Sequence, residues 1–378
     1  MRIAFFAPLK PLDSPVPSGD RAVGRLIVRA LEMAGHEVIQ PSRLRLWLKE
    51  GSEEALREKK RLAETEAERL LAEFREHGAP DLWLTYHLYH KAPDWLGTRI
   101  EESLDIPYVA IEASRAAKRR TGEWAYGFAA VDRMLEQADM VVASHRLDAR
   151  GLSAVVPEDR LTTLPPFIDA TPFTATVATP QDREAPVRLL TVAMMRAGDK
   201  TASYRVLADA LDKIRDLDWR LSVVGDGEMR DEIMALFDPD RTDWLGQLDA
   251  AGVAAQYGQA DLFVWPAVRE AYGLVFLEAQ ASGLPVVAGD TNGVPDIVYE
   301  GETGFLAVSG DAESFAKAMR LALSDRDHLA RMGAQARESV LGRHDIHAAS
   351  QKLDAILRKA QDIHNKRREG KCRRNPAS

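Results

Sequence analysis

The sequence predicts an α/β protein built from two parallel-sheet domains. Three observations carry that prediction. Short, continuously apolar runs recur along the 378 residues. Most are separated by segments with helical spacing, the pattern of strands buried on both faces and covered by helices. The pattern breaks at residues 171–186 (TPFTATVATPQDREAP), a Thr- and Pro-rich stretch without apolar periodicity, and restarts directly after it. The length also suits two domains of roughly 150 residues each better than one or three.

In the first half the apolar runs fall at residues 2–7, 37–40, 81–86, 108–112, 140–143 and 161–164. In the second half they fall at residues 187–193, 220–224, 243–245, 262–265, 285–288 and 305–308. Helical spacing lies between them, as at residues 24–33, 205–214 and 312–323. Two segments stand outside the alternation. Residues 52–77 are strongly charged, with Leu56, Leu62, Leu70 and Leu71 among them, and predict a long surface helix. After Ile346 a helix is expected to about His364, followed by a run from Lys366 to Arg374 with six basic residues and one acidic one.

These boundaries give an amino-terminal domain over residues 1–172, a linker over 173–186, a second domain over 187–345, a terminal helix over 346–366 and a basic tail over 367–378. Open α/β sheets bind ligands beyond the carboxyl ends of their strands, so the expected site is a cleft between two facing sheets.

Composition narrows the function. Lys and Arg total 50 against 58 Asp and Glu, a net charge of −8, with a pI near 5.7. That balance argues against a nucleic-acid partner, which calls for a basic face or stripe. The lone cysteine, Cys372, excludes a disulfide scaffold and cysteine zinc sites, and fits a reducing cytoplasm. The apolar run at residues 3–9 is broken by Pro8 and is too short for a signal-peptide core. No run approaches the ~20 apolar residues of a membrane span.

The chemistry concentrates in residues 260–298. A strand ends at Pro266, a loop carries Glu270, a helix is expected to begin near Gly273, and Glu278 lies on it. The spacing of the two glutamates means little alone, since Glu50 and Glu58, or Glu68 and Glu76, share it. The pair gains a use if Glu270 stands in the loop before the helix. The helix start at Gly273 and Leu274 then offers free amides and a positive dipole end to a phosphate, with Gly273 allowing close approach. Glu278 suits a ribose diol and Glu270 a second polyol.

Carboxylates beside a phosphate need cations, and Arg196 and Lys200 follow the first strand of the second half. Two fixed cations can stabilise a diphosphate leaving group without a metal. A third loop, at residues 224–228, carries Gly225 and Gly227, which are expected to let a nucleotide approach the backbone.

These motifs resemble those of the family 4 retaining glycosyltransferases with the GT-B fold, or glycosyl transferases group 1. REAYGLVFLEAQASGLPVVA holds the glutamate pair, and Arg196, Lys200, VVGDGEMRDEI, WLGQL and NGVPDIV fall in that family's order. The likeness is dense over about residues 187–341 and looser before them. It implies two Rossmann-like domains facing across an interdomain cleft. It also implies transfer of a sugar from a nucleotide-diphosphate sugar to a sugar or lipid-linked acceptor, with anomeric configuration retained.

Carried over, Arg196 and Lys200 would neutralise the diphosphate, Glu278 would bind ribose, Glu270 would hold the donor sugar, and backbone at Gly246–Leu248 would meet the base. Gly19 stands in the loop expected near the phosphates, where Ser18 replaces one of the usual paired glycines. Glu112 stands where many members place a histidine, and is assigned as a base for the acceptor hydroxyl. The resemblance implies no cofactor and no metal, and sets no oligomeric state.

Plainer readings stand beside these. Glu278 would be a solvated helix residue, Arg196 and Lys200 surface caps, and Glu112 a buried carboxylate paired with Arg115 or Lys118. His87 and His90 lack a third ligand for zinc. His87, Lys91 and Arg115 are therefore assigned to the acceptor, with packing as the alternative. A nucleotide-sugar epimerase and an inactive nucleotide-sugar-binding protein are the rival functions. A nicotinamide enzyme lacks the third glycine after Gly225 and Gly227. The basic tail and the mixed apolar-basic segment at residues 43–49 suggest peripheral membrane contact.

Overall fold

The computed structural model describes residues 1–15, 18–175 and 185–374. The chain forms two compact units, one of Met1–Leu164 with His347–Ser378 and the other of Pro165–Ile346. Each has its own fully parallel six-stranded sheet.

The first unit contains β1 (Arg2–Phe6), β2 (Glu37–Ile39), β3 (Leu82–Tyr86), β4 (Tyr108–Ile111), β5 (Met140–Ala143) and β6 (Leu161–Thr163), arranged β2-β1-β3-β4-β5-β6. Every residue of β3, β4 and β5 is buried, as expected of strands covered on both faces. The helix Gly19–Met33 starts at Ser18, whose hydroxyl accepts the Arg21 amide, and it buries Val23, Ile27, Ala30 and Leu31 along one face. The charged helix Glu53–His77 is capped by Ser52 and turns Leu56, Ala63, Ala67, Leu70, Leu71 and Phe74 inward. Leu62 stays exposed.

The second unit contains β7 (Val187–Val192), β8 (Trp219–Val224), β9 (Thr242–Gly246), β10 (Leu262–Trp265), β11 (Val286–Asp290) and β12 (Gly304–Val308), arranged β12-β11-β10-β7-β8-β9. Counted from its own first strand this is the order 3-2-1-4-5-6 of dinucleotide-binding sheets, whereas the first unit begins 2-1-3 as flavodoxin-like sheets do. Strand order therefore reverses between β1 and β3 in the first unit, and between β7 and β10 in the second. In such sheets the crevice at the carboxyl ends of the two switch strands is where ligands bind.

Three expectations change. The second unit begins at Pro165 rather than after residue 172, because the Ile168 amide donates to the His344 carbonyl at 2.9 Å and the Ile346 amide to the Ile168 carbonyl at 2.8 Å. Thr171–Thr174, running into the expected linker, form one helical turn, and residues 176–184 lie outside the described residues.

The terminal helix runs from Ile346 to Arg374 and belongs to the first unit. Leu353, Leu357 and Ala360 are buried along it. Near the expected end His364 Nδ1 lies 3.2 Å from Asp139 Oδ2, and beyond it Arg367 Nη1 donates to Asp139 Oδ1 at 2.6 Å and Arg368 Nε meets Asp105 at 2.8 Å. The helix thus takes in residues 367–374 of the expected basic tail, with Arg367 and Arg368 paired, and residues 375–378 lie outside the described residues.

Residues 43–49 present no apolar face. Leu46 is buried, Leu44 and Leu48 pack on the core, and the Arg45 guanidinium lies 4.7 Å from the Trp47 ring centre. Among the described residues no helix is long and apolar enough to cross a membrane.

Candidate nucleotide-sugar site

In the second unit the two switch strands deliver the expected charged residues. The loop after β7 carries Arg196 and leads into the helix Asp199–Asp212, whose first turn holds Lys200. The loop after β10 carries Glu270 and leads into the helix Leu274–Ala281. Lys200 Nζ forms an ion pair with Glu270 Oε2, and lies 5.5 Å from the Trp265 ring centre. Arg196 is exposed and makes no ion pair among the described residues. Backbone amides of Glu228 and Ala197, and then the Arg196 charge, hold the Glu228 carboxyl below the ordinary range.

The Glu270 loop is strained and pinned. Ala267 and Arg269 have left-handed backbones at φ 52° and 55°, a conformation that survives only where its surroundings over-determine it. The Val268 amide donates to Ser203 Oγ at 2.9 Å, and Arg269 Nη1 lies 3.4 Å from Asp199. From the NGVPDIV stretch, Asn292 Nδ2 donates to the Glu270 carbonyl at 2.8 Å and the Gly293 amide to the Ala271 carbonyl at 2.7 Å. Ser203 and Asn292 are parts of the site to which no role was assigned from the sequence.

Gly273 is left-handed at φ 68°, and a Cβ there would stand 3.0 Å from the Phe276 ring. No side chain caps the helix that follows, so its first amides are available to a ligand. One turn further, the Tyr257 hydroxyl donates to Glu278 Oε2 at 2.9 Å. Burial pushes the Glu278 carboxyl above the ordinary range, against that hydrogen bond. Glu278 is therefore no solvated helix residue. Tyr257, on the helix Ala250–Gln259, carried no motif and went unassigned.

Gly225 and Gly227 make a close packing contact that their sequence role did not include. Their φ values are 148° and 155°, and a Cβ would fall 1.9 Å from the Ala193 carbonyl and 2.2 Å from the Met195 carbonyl. They let the loop after β8 pack on the loop after β7, which holds the backbone before Arg196 in place. The approach they permit is backbone on backbone. The Gly225 amide donates to the Gly246 carbonyl at 2.8 Å, so Gly246 joins the same carboxyl edge, and Leu248 packs against the core beyond it.

In the first unit Gly19 opens its helix with nothing near its Cβ position, while Pro17 lies outside the described residues. Glu112 follows β4 and His87 follows β3, and His87 Nδ1 lies 3.6 Å from Glu112 Oε2. Arg115 does not pair with Glu112. Its Nε and Nη2 donate to Asp132 at 2.7 and 2.9 Å, its side chain is 5% exposed, and its guanidinium stacks over Phe128. Its expected acceptor role gives way to a buried ion pair. Lys91 Nζ sits 5.1 Å from the Trp124 ring centre and donates to the Lys49 carbonyl at 3.4 Å. Burial, with the Arg119 and Lys91 charges, pulls His90 down to about 4, so it is a neutral ring packed on Trp124.

Residues 179–339 match the family described as glycosyl transferases group 1. The match falls within the second unit and covers less than half of the chain. A sulfoquinovosyl transferase (SQD2) of Arabidopsis thaliana is 36% identical over 154 residues, covering 40% of this chain and 30% of that protein. The N-acetyl-alpha-D-glucosaminyl L-malate synthase of Bacillus anthracis is 31% identical over 214 residues, covering 54% of this chain and 56% of that one. The chain thus spans about half, or less, of the curated relatives it matches. Among solved structures, a sucrose-phosphate synthase from Thermosynechococcus elongatus superposes with a TM-score of 0.72 at 21% identity, covering 95% of this chain and 98% of that one. That likeness extends the GT-B fold over both units.

Proposed function

We propose that the protein is a retaining glycosyltransferase that moves a sugar from a nucleotide-diphosphate donor to an acceptor hydroxyl, in the biosynthesis of a glycolipid, polysaccharide or other glycoconjugate. The observation that carries this reading is the placement of an exposed Arg196 with the Lys200–Glu270 ion pair at the β7/β10 switch point, beside an uncapped helix start. The cations and the amides at Leu274 meet the diphosphate, and Glu278, held by Tyr257, takes the ribose hydroxyls. Backbone at Gly246 and Leu248 meets the base, and Gly19 is assigned to the phosphates.

As the bond from the anomeric carbon to the diphosphate breaks, its electron pair stays on the diphosphate, and Arg196 and Lys200 stabilise the charge that develops. Glu270 fixes Lys200 and holds donor-sugar hydroxyls. The carboxylates nearest these phosphates are already matched by cations, Glu270 by Lys200 and Asp199 by Arg269. That pairing favours neutralisation by side chains over a divalent metal. The acceptor hydroxyl attacks the face the leaving group occupies, which retains configuration, and Glu112 accepts its proton. Lys91 serves the acceptor side. The product named for the Bacillus anthracis relative joins a sugar to L-malate, so an anionic acceptor belongs in the first panel tried.

The test is to follow the anomeric proton of a panel of nucleotide-sugars by NMR with sugar, lipid-linked and hydroxy-acid acceptors. A new glycoside with the donor's anomeric configuration is the expected product. An inverted product overturns the retaining mechanism, and nucleotide binding without turnover of any donor overturns the enzyme reading.

A further inference from the structure

His87 and Glu112 leave adjacent strands, and both are left-handed, at φ 68° and 54°, though neither is glycine. Strain of this kind collects where a side chain must be aimed. Two hydrogen bonds pin the strained loops. The His87 amide donates to the Ile111 carbonyl at 2.8 Å, just before Glu112, and the Tyr86 hydroxyl donates to the Asp20 carbonyl at 2.9 Å, just before His87.

The aim is specific. His87 Nδ1 lies 3.6 Å from Glu112 Oε2 and 3.7 Å from Asp20 Oδ1. That nitrogen is shut off from solvent and has no hydrogen-bond partner at these distances. An orphaned ring nitrogen facing two carboxylates carries the proton, since a lone pair there would face only acceptors.

We infer that His87 is a positioning residue whose Nδ1–H holds the Glu112 carboxylate as the base for the acceptor hydroxyl, with Asp20 as the second carboxylate on the same nitrogen. This rests on the glycosyl transfer proposed above, and it replaces the direct acceptor contact that the sequence suggests for His87. In the step it serves, the acceptor oxygen bonds to the anomeric carbon, the bond from that carbon to the diphosphate breaks, and the hydroxyl proton passes to Glu112. His87 acts through Glu112 alone.

Three variants and one spectrum test this. His87→Ala is expected to lower kcat by roughly 10²-fold while KM for donor and acceptor stays within about twofold. His87→Asn tolerates left-handed backbone and puts an amide N–H near the place of Nδ1, so it recovers most of the rate. In the Glu112→Gln background His87→Ala costs little more, because residues that act as a unit are not additive. In protein carrying isotope-labelled histidine, the His87 Nδ1 signal is that of a protonated nitrogen and shifts on Glu112→Gln.

Full kcat in His87→Ala, losses that multiply in the double variant, or a nitrogen signal unmoved by Glu112→Gln overturns the inference. If the alanine variant does not fold, His87→Asn decides: near-wild-type kcat supports the inference, and a loss as large as that of Glu112→Gln overturns it. A wild-type chain that transfers no sugar from any donor overturns the proposed function instead. The nitrogen signal then still decides whether His87 holds Glu112.

Discussion

The Tyr257 hydroxyl donates to Glu278 Oε2 at 2.9 Å, so one oxygen of the carboxylate assigned to ribose is oriented by the protein before any ligand arrives. Buried charge is costly, and here the cost shows as the raised Glu278 carboxyl. Because the folded value lies above the unfolded one, the folded state binds the extra proton, and stability falls as pH rises through the interval between them.

Glu278→Gln should therefore raise Tm above the ordinary carboxylate range and leave it little changed well below that range. The same variant should weaken nucleoside-diphosphate binding by about 1–3 kcal/mol, the cost of losing a charged acceptor. Tyr257→Phe should cost about 1 kcal/mol of that affinity by freeing the carboxylate to rotate. A Tm gain with unchanged affinity in calorimetry would remove Glu278 from the ribose site.

The glycines divide by what surrounds them. Gly225→Ala would drive a Cβ to 1.9 Å from the Ala193 carbonyl, on a left-handed backbone. A destabilisation of about 2–5 kcal/mol is expected from strain and overpacking together. Gly19→Ala meets nothing within 4 Å and sits in a helix, so denaturant melts should show little change while donor affinity falls if the phosphates pass there. Equal stability of the two variants would contradict the packing role given to Gly225.

The twelve strands among the described residues were legible as short apolar runs, most plainly the central ones, because a strand covered on both faces must be apolar throughout, as at residues 82–86 and 140–143. The cations and glutamates of the second unit were legible because their order along the chain is itself a pattern. Partners brought in from elsewhere were not. Tyr257 reaches Glu278 from a separate helix, and Asp132 captures Arg115 from 17 positions away. The terminal helix misled for a related reason: Arg367 and Arg368 read as a solvated charge run until Asp139 and Asp105 are placed beside them.

Asp139 is 0% exposed, and it accepts from the Tyr108 amide and Arg367 while facing His364. Arg367→Ala should cost about 1.5–3 kcal/mol, as for other hydrogen bonds to a charged group, and a shift below about 0.5 kcal/mol in denaturant melts would show the helix is held without it. Nearby, burial and then the Asp139 charge push Glu101 up to about 7. Its raised value means stability is lost as pH climbs from the ordinary carboxylate value to about 7. Glu101→Gln should accordingly raise Tm at about pH 8 and leave it unchanged at about pH 4. A gain at both would point to packing rather than charge.

On the proposed mechanism the second unit grips a nucleoside diphosphate through Arg196 and Lys200 without a metal. Isothermal titration calorimetry with excess chelator, comparing a nucleoside diphosphate with its nucleoside, tests it most directly. The diphosphate should bind as tightly with chelator as without and far more tightly than the nucleoside. Arg196→Ala, a change at an exposed residue, should lose about 1.5–3 kcal/mol of that affinity with no fall in Tm. Diphosphate binding that vanishes on chelation and returns with magnesium, or that survives Arg196→Ala unchanged, would contradict it.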